Sequence, residues 1–484
     1  MSAALPGIPW LSVFEVLEVT GGRLWDPLPP EQAPCFTGCA IDSRALQGGE
    51  LFVPLPGTRV DGHEFVAPAL DGMAAGSLVK AGKTPATGWP RLGKPVIEVR
   101  DPLVALQAIG RHCRDRAGIP VVAVTGSNGK TTTKEMIAAV LGTTKRVHKN
   151  VGNLNNHIGV PLTLSRLRPE HQALVIELGM SARGEIRFLA TLCLPRIGVL
   201  TNASAAHLAQ LGSVDEVALA KSELAEAIPG DGLLVLNADD PRLWPMNRGR
   251  KVPIRSYALE NPEADLIPAE ITTTAAGGTR FRLADGTEVT LALLGTHNVR
   301  NALAAILVGD ALGVPRSQAA FALGALKPAR HRLELFVSPA GALVLDDAYN
   351  ANPASMREAL LVLATMRTAG ERRAVLGDML ELGPDAASLH EEVGRLVPRT
   401  AWLYVAGEHA AAIERGAGEA GLPAERVRRF DDVPAMAAAV AADTRKGDLV
   451  LVKASRGMRL ERVVEALTPG NAGSPGALAA AGRD

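Results

Sequence analysis

A glycine-rich segment with one lysine and a run of threonines, GSNGKTTT, carries the strongest chemical signal in the chain. It follows the apolar run PVVAVT, typical of a strand buried on both faces, and precedes a helix predicted from Lys130 to Leu141. Backbone N–H groups in such a turn bind phosphate oxygens, the lysine adds charge at the outer phosphates, and a threonine hydroxyl suits Mg²⁺. The residues predicted to bind a nucleoside triphosphate here are Thr125, Gly126, Ser127, Asn128, Gly129, Lys130, Thr131 and Thr132.

The spacing of this loop is shorter than the standard GxxxxGK[ST] pattern. The first glycine of that pattern would fall on Val124, so the segment matches GxxGK[ST] instead. Such a loop indicates a nucleoside triphosphate but does not distinguish a kinase, a motor, a switch or a ligase. That distinction depends on the polar residues elsewhere in the chain.

Polar residues that suit phosphate chemistry also follow the loop. Glu177 ends the apolar run ALVIE, at the carboxyl edge where α/β sheets place ligands, so its carboxylate either binds Mg²⁺ together with Thr131 or caps the next loop. Asn155 and Asn156 lie in the segment GNLNN. Their amides donate and accept hydrogen bonds without net charge, which suits the orientation of a substrate near phosphates.

The length and charge of the chain limit the class of protein. A chain of 484 residues suggests about three domains. Lys and Arg total 51, as do Asp and Glu, so the balanced charge gives no sign of a nucleic-acid partner or an anionic membrane. Hydrophobic residues make up 47%, which is too apolar for a disordered protein. We predict a soluble globular protein with neither nucleic-acid binding nor membrane insertion.

The cysteines and the N-terminal segment predict a cytoplasmic location. Cys35, Cys39, Cys113 and Cys193 form no CxxC pair and have no histidine at zinc-finger spacing, so we predict buried, reduced thiols. Reduced thiols are typical of the cytoplasm. The first residues lack the basic and apolar regions of a signal peptide, and no stretch approaches the roughly 20 apolar residues that cross a bilayer.

Strand and helix patterns alternate along most of the chain, which predicts an α/β protein of three domains. The first is a small α/β domain that ends in a helix from Asp101 to Arg116. The second is a P-loop domain with a parallel sheet and, at 270–293, an antiparallel meander. The third is a Rossmann-like domain. The predicted boundaries are 1–116, 117–328 and 329–467, followed by a disordered tail at 468–484.

Several longer segments occur in one order along the chain: GNLNNHIGVPLTL, VIELGMS, TNASAAHL, AKSEL, GTHNVRNALAA, HRLE and DDAYNANPASM. Together with TGSNGKTTT they resemble the Mur ligase family, which adds amino acids to the peptidoglycan precursor. The resemblance extends from Asp42 to about Leu467. It implies a monomeric ligase that uses ATP and Mg²⁺ and activates a carboxylate as an acyl phosphate, which an amine then attacks.

Two motifs, DDAYNANP and GDMLELG, are similar to those of the family member that joins D-alanyl-D-alanine to UDP-N-acetylmuramoyl-tripeptide. The DNPR motif typical of the preceding ligase is missing from the sequence. The alternatives are a sister ligase that adds a single amino acid, a P-loop ATPase that acts as a switch, and a pseudo-enzyme that only binds the precursor. The intact Lys130, Thr131 and Glu177 argue against the last.

The resemblance also implies roles for residues that their surroundings do not reveal. His207 would bind a second Mg²⁺, and Lys221 would react with CO₂ to form a carbamate that binds Mg²⁺. From its pattern alone, Lys221 lies in a helix whose other charges look like a solvated face. Lys130, Lys221, His207 and Glu177 would form the catalytic set.

The remaining implied contacts concern ATP and the other two substrates. Asn298 would contact the adenine, although a helix cap is the alternative, Arg332 would approach the phosphates, and Asp347 the ribose. The first domain would bind the UDP-sugar peptide through Ser43 and Arg44. The residues that would face the dipeptide in the third domain are Tyr349, Asn350, Asn352, Lys453, Ser455 and Arg456.

Overall fold

The structure, a computed structural model, describes residues 10–57, 60–85, 88–89, 93–274 and 278–468. It contains three α/β domains, each with its own mainly parallel sheet, which confirms the predicted fold class. We call them the N-terminal, central and C-terminal domains. The predicted disordered tail, apart from Thr468, lies outside the described residues.

The central domain is built on a six-stranded sheet in which every neighbouring pair is parallel. In spatial order its strands are Ile254–Tyr257, Leu233–Asn237, Ile197–Leu200, Val121–Thr125, Ala173–Glu177 and Val147–Lys149. Its helices are Lys130–Gly142, Gly159–Leu164, Glu185–Cys193, Leu208–Leu211, Val214–Ala227, Leu243–Asn247, His297–Ala311 and Arg316–Ala325. The predicted meander is a separate antiparallel sheet of Glu270–Thr273, Thr279–Arg282 and Glu288–Leu291.

The apolar run before the phosphate loop explains why its strand is central. Successive side chains of a strand point to opposite faces, so a continuous apolar run serves two cores at once. Val121 and Ala123 belong to one hydrophobic core, whereas Val122 and Val124 belong to the other. The strand is therefore held in place by packing on both of its faces, and it positions the loop at the carboxyl edge of the sheet.

The N-terminal domain shares the first of these cores with the central domain. Its five-stranded sheet has the order Arg23–Leu24, Val96–Val99, Gly76–Lys80, Leu51–Phe52 and Cys39–Ala40, and Leu11–Ser12 pairs separately with Cys35–Phe36. Its helices are Val13–Thr20, Val66–Asp71 and Pro102–Ala117. The last confirms the helix predicted from Asp101 to Arg116, and Asp101 caps its first turn.

The C-terminal domain has a six-stranded sheet with one antiparallel edge strand. The order is Glu334–Val337, Leu343–Asp347, Leu449–Lys453, Arg372–Leu376, Trp402–Ala406 and Val427–Phe430. Its helices are Pro353–Thr365, Ala386–Gly394, Ala410–Glu419, Val433–Asp443 and Glu461–Leu467. Parallel strands joined through helices confirm the Rossmann-like arrangement predicted for this part of the chain.

The segment DGHEF forms a short 3₁₀-helix over Gly62–Phe65, because Asp61 caps it by accepting a hydrogen bond from the backbone N–H of His63. The exposure of one cysteine differs from the sequence-based expectation. The thiol of Cys35 is exposed, whereas Cys39, Cys113 and Cys193 are buried and free. Among the helices of the described residues, none has the length and apolarity needed to cross a membrane.

Candidate active site

A cleft of about 800 Å³ lies between the carboxyl edges of the central and C-terminal sheets. It brings together most of the site residues expected from the sequence. The expected residues that line it are Ser127, Asn128, Gly129, Lys130, Thr131, Thr132, Asn155, Asn156, Glu177, His207, Lys221, Asn298, Arg332, Asp347, Tyr349, Asn350, Asn352, Lys453, Ser455 and Arg456. Thr125, Gly126, Ser43 and Arg44 are not among its lining residues.

The glycines of the phosphate loop are required by close packing and by backbone conformation. A Cβ at Gly126 would lie 1.8 Å from Oγ1 of Thr201, which no side chain tolerates. Gly129 has a φ of 78°, a left-handed conformation that favours glycine. Thr125 is fully buried, and its hydroxyl donates a hydrogen bond to the carbonyl oxygen of Leu178 at 2.9 Å. Thr125 and Gly126 therefore shape the loop from behind.

Lys130 is the first residue of the helix that follows the loop, and its ammonium folds back over the loop. Nζ donates to the carbonyl oxygens of Gly126 and Ser127, at 2.8 and 3.2 Å. Burial lowers the pKa of Lys130, Arg332 lowers it further, and the Glu177 carboxylate opposes both effects. The charge therefore lies among backbone oxygens of the glycine-rich loop.

The hydroxyl of Thr131 links the central domain to the C-terminal domain. It donates to Oε2 of Glu177 at 2.8 Å and accepts from Nη2 of Arg332 at 3.2 Å. Glu177 is 3% exposed and ends a central strand, whereas Arg332 belongs to the C-terminal domain. A phosphate-loop hydroxyl, a strand-end carboxylate and a guanidinium from the other domain thus meet at one point.

Hydrogen bonds on both sides fix the carboxylate of Glu177. The amide of Asn155 donates to Oε1 of Glu177 at 2.8 Å. The backbone N–H of Glu177 donates to Oδ1 of Asn150, whose backbone oxygen in turn accepts from the buried Lys134 ammonium at 2.8 Å. Asn156 has a different local contact, since its Oδ1 accepts from the backbone N–H groups of Ile158 and Gly159, just before the helix Gly159–Leu164.

Lys221 is 2% exposed although it lies on a helix with several charged residues. Burial lowers its pKa well below the ordinary value, and the nearby charge of Lys130 lowers it further. In the part of the chain that the structure describes, no hydrogen bond or ion pair reaches its ammonium. The expected solvated face is wrong at Glu223, which is buried and accepts from the backbone N–H groups of Gly184 and Arg187.

His207 stands at the start of the short helix Leu208–Leu211, on the wall of the cleft. Its Nδ1 lies 2.6 Å from Oε2 of Glu381, a residue of the C-terminal domain. Burial lowers the pKa of His207, and the charges of Lys221 and Lys130 act in the same direction, against the Glu381 carboxylate. The ring of His207 is therefore close enough to the ammonium groups of Lys221 and Lys130 for their charges to influence its pKa.

Asn298 and Asp347 are both tied to neighbouring groups. Asn298, 4% exposed, donates to the carbonyl oxygen of Leu294 at 2.7 Å and is not the cap of its helix, which is Thr296. Asp347 forms an ion pair with the buried Lys453. Both residues line the cleft at strand or helix ends.

Two guanidinium groups of the C-terminal domain lie over the ring of Tyr349. The guanidinium of Arg332 lies 4.2 Å from its ring centroid, and that of Arg456 lies 5.4 Å away. Cations over an aromatic ring attract it electrostatically and hold its position. Lys453 donates to the backbone oxygen of Asn350 at 3.0 Å, and Ser455 accepts from the backbone N–H of Leu380 at 2.9 Å.

Asn352 joins the C-terminal domain directly to the phosphate loop. It exchanges two amide hydrogen bonds with Asn128, at 2.7 and 3.2 Å, and it also caps the helix Pro353–Thr365 through the N–H of Ser355. The loop is thus in direct contact with the C-terminal domain.

Ser43 and Arg44 lie in a short 3₁₀-helix of the N-terminal domain. Arg44 pairs with both carboxylate oxygens of Asp42, and this pairing lowers the pKa of Asp42 to about 2. The strand just before them contacts the central domain, because Cys39 N–H donates to the Ser165 hydroxyl at 3.1 Å. The side chain of Arg44 is 88% exposed and available for a ligand.

Some residues of the site that sequence reasoning did not single out lie within motifs that it did. Asn202 and Thr201, from TNASAAHL, bind the backbone oxygen of Asn128 at 3.1 and 2.7 Å and hold the phosphate loop. Glu381 belongs to GDMLELG. Asn150 lies just before the segment GNLNN, and its residue type gave no indication of a role in the site. Its role depends on accepting a hydrogen bond from the backbone N–H of Glu177, which is distant in sequence.

Comparison with known proteins decides the family. Three family models match the chain. Residues 36–112 match the catalytic domain of the Mur ligase family, residues 124–309 match the Mur ligase middle domain, and residues 331–456 match the Mur ligase glutamate ligase domain. A UDP-N-acetylmuramoyl-tripeptide–D-alanyl-D-alanine ligase of Bacillus subtilis is 38% identical over 94% of this chain and 98% of its own.

The chain belongs to the Mur ligase family. An Escherichia coli relative of the same name is 36% identical and covers 93% of this chain and 99% of its own. Among solved Mur ligases, a crystal structure of MurF from Acinetobacter baumannii has a TM-score of 0.82 at 30% identity, covering 96% of this chain and 99% of that one.

A second solved Mur ligase was crystallised with a nucleotide. MurF from Thermotoga maritima in complex with ADP has a TM-score of 0.75 at 28% identity, covering 89% of this chain and 96% of that one. Membership in a family of ATP-dependent ligases agrees with the interpretation of GSNGKTTT as a nucleotide loop. The predicted resemblance to Mur ligases is therefore confirmed over nearly the whole chain.

Proposed function

We propose that this chain is an ATP-dependent ligase that joins D-alanyl-D-alanine to UDP-N-acetylmuramoyl-tripeptide. The observation that carries the chemistry is the meeting of Thr131, Glu177 and Arg332 in one cleft between two domains. Relatives named for this reaction, similar over more than nine-tenths of both chains, support the choice of substrates.

The reaction must overcome a charge problem. A carboxylate at pH 7 is an anion and a poor electrophile, so the γ-phosphoryl group of ATP is transferred to it and forms an acyl phosphate. The amine of the dipeptide attacks that carbonyl carbon, and phosphate leaves as the amide bond forms. Bringing an anionic carboxylate to an anionic triphosphate requires fixed positive charge, which Lys130 and Arg332 supply.

The residues around Thr131 fit a magnesium ion. Mg²⁺ prefers oxygen ligands, and the Thr131 hydroxyl and the Glu177 carboxylate present two such groups 2.8 Å apart. When bound, Mg²⁺ would neutralise part of the phosphate charge. His207 offers a nitrogen, a less favoured ligand, and would belong to a second ion near Lys221.

A carbamate on Lys221 would give this second ion oxygen ligands. The ammonium would first lose one proton to solvent; the neutral amine would then attack CO₂, an N–C bond would form, and a second proton would leave, so that a cation becomes an anion. An exposed lysine with a pKa of about 10.4 is rarely neutral at pH 7. Burial and Lys130 move the pKa of Lys221 in the direction that this reaction requires.

The remaining contacts would divide among the domains. Asn298 of the central domain would contact adenine and Asp347 of the C-terminal domain the ribose, and both residues line the cleft. Tyr349, Asn350, Asn352 and the segment of Lys453, Ser455 and Arg456 would face the dipeptide. The predicted domain boundaries, the monomeric state and the cytoplasmic location stay predictions.

The N-terminal domain should control only one of the two substrates. Arg44→Ala is expected to raise the KM for the UDP-sugar peptide several-fold and leave the KM for the dipeptide nearly unchanged, because Arg44 lies outside the cleft that Tyr349 lines. Ser43→Ala should act in the same direction. Arg23→Ala is the matched control, since Arg23 is another exposed arginine paired with a carboxylate in this domain. Equal changes in both KM values would refute this division.

An acceptor panel tests the proposed function itself. ADP release is measured with UDP-N-acetylmuramoyl-tripeptide and, in turn, D-alanyl-D-alanine, D-alanine, L-lysine, diaminopimelate or no acceptor. The proposal predicts turnover with the dipeptide, and mass spectrometry should show the pentapeptide product. Turnover with a single amino acid instead would identify a sister ligase. ADP release without any acceptor would identify an ATPase switch.

A further inference from the structure

The contact between His207 and Glu381 crosses from the central to the C-terminal domain. Nδ1 of the imidazole lies 2.6 Å from Oε2 of the carboxylate. An ionised carboxylate only accepts hydrogen bonds, so Nδ1 carries the proton. In the neutral imidazole the lone pair is then on Nε2, the nitrogen left for the cleft that His207 lines.

Both residues adopt a backbone conformation that is costly for residues other than glycine. His207 has a φ of 58° and Glu381 a φ of 64°. Such conformations persist when the surrounding structure imposes them, and they are frequent at functional sites. A second interdomain hydrogen bond, from the N–H of Ala209 to the backbone oxygen of Glu381 at 3.0 Å, fixes the two segments against each other.

The loop that presents Glu381 is itself held from within the C-terminal domain. The N–H of Met379 donates to Nε2 of the buried His390 at 2.8 Å, and the N–H of Leu380 donates to the Ser455 hydroxyl at 2.9 Å. The carboxylate of Asp378 accepts from the N–H groups of Glu408 and His409. The loop that presents Glu381 is therefore held by several hydrogen bonds within the C-terminal domain, in addition to its contacts with the central domain.

The exposure of the pair argues against a role in stability. The side chains of His207 and Glu381 are 29% and 52% exposed. Ion pairs this accessible to water contribute little to the free energy of unfolding. By contrast, a carboxylate that accepts the second N–H of a metal-binding histidine fixes the tautomer and the direction of the ring, and such partners strongly affect metal affinity.

We propose that Glu381 is a positioning residue that orients His207 toward the cleft, and that it does so only while the C-terminal domain is docked. The inference rests on the proposed function, since it takes His207 as a ligand of Mg²⁺. The metal site would then depend on both domains, because the ligand His207 belongs to the central domain and Glu381, which orients it, belongs to the C-terminal domain.

The tautomer of His207 tests the contact without metal or nucleotide. In ¹⁵N-labelled protein, the His207 ring is assigned from the signal lost in His207→Asn. The wild type should show Nδ1–H and an unprotonated Nε2. Glu381→Ala should shift the ring toward the Nε2–H form, whereas Glu381→Gln, whose amide oxygen still accepts, should keep it. Unchanged signals in Glu381→Ala, or a mixture of tautomers in the wild type, would overturn the proposal.

The Mg²⁺ requirement tests the consequence in the full reaction. Glu381→Ala should raise the Mg²⁺ concentration for half-maximal ADP release by about 10- to 100-fold, and Glu381→Gln should largely restore it. Asp385→Asn is the matched control, because Asp385 is an exposed carboxylate four residues away whose side chain makes no cap hydrogen bond. A wild-type Mg²⁺ requirement in Glu381→Ala would overturn the proposal. Failure of the proposed function would appear separately, as wild-type protein without dipeptide-dependent turnover.

Discussion

Replacing Lys130 by alanine is expected to reduce ATP-dependent turnover by about 10²-fold or more, because fixed positive charge at the transferred phosphoryl group is lost. The ammonium of Lys130 lies over the carbonyl oxygens of Gly126 and Ser127, with the Glu177 carboxylate and the Arg332 guanidinium close enough to influence its pKa. The measurement is steady-state ADP release with both other substrates saturating.

The control for this variant is another lysine of the central domain. Lys251 is exposed and lies outside the residues that line the cleft, so Lys251→Ala should turn over like the wild type. Circular dichroism checks that both variants are folded. Activity of Lys130→Ala within a few-fold of the wild type would mean that GSNGKTTT does not serve ATP.

Lys221→Ala is expected to be nearly inactive although folded, because the oxygen ligands of a carbamate cannot form. Lys221→Arg keeps a positive charge but should be equally inactive, since a guanidinium would not form the carbamate. A short carboxylic acid added to Lys221→Ala should restore part of the activity by filling the vacated space with carboxylate oxygens. The measurement is kcat for all three proteins with and without the acid.

The carbamate also has a signature that does not depend on turnover. Protein equilibrated with ¹³C-bicarbonate should show a carbamate carbon resonance that is missing from Lys221→Arg. Only the neutral amine reacts, so this signal should weaken as the pH falls through the pKa of Lys221, which burial places well below that of an exposed lysine. An active Lys221→Arg enzyme would return Lys221 to the role of an ordinary cation.

Elements whose signal is local in sequence could be predicted before the structure was known. The strand before Gly126 is apolar from Val121 to Val124, and the glycine, lysine and threonine spacing follows it at once, so the loop and its place at the end of a buried strand were predictable. Glu177 was predictable for the same reason, because it ends a buried strand. The helix Pro102–Ala117 was also predicted to within one residue at each end, aided by the cap Asp101.

Residues whose role depends on packing between domains were not predictable from local pattern. Lys221 has the sequence surroundings of a surface lysine, and only its position between packed elements makes it 2% exposed. The carbamate proposed for Lys221 was implied only by the family resemblance. Glu381 was missed altogether, because nothing in GDMLELG shows that this carboxylate reaches His207 of another domain.

The transfer of oxygen from the substrate carboxylate to phosphate tests the central claim most directly. UDP-N-acetylmuramoyl-tripeptide labelled with ¹⁸O in the reacting carboxylate is converted with ATP and D-alanyl-D-alanine, and the released phosphate is analysed by mass spectrometry. Attack of the amine on an acyl phosphate expels the bridging oxygen with the phosphate, so the account predicts one ¹⁸O atom in each phosphate. Phosphate without ¹⁸O would mean that water, not the carboxylate, attacks ATP, and would contradict the assignment of this site to a ligase.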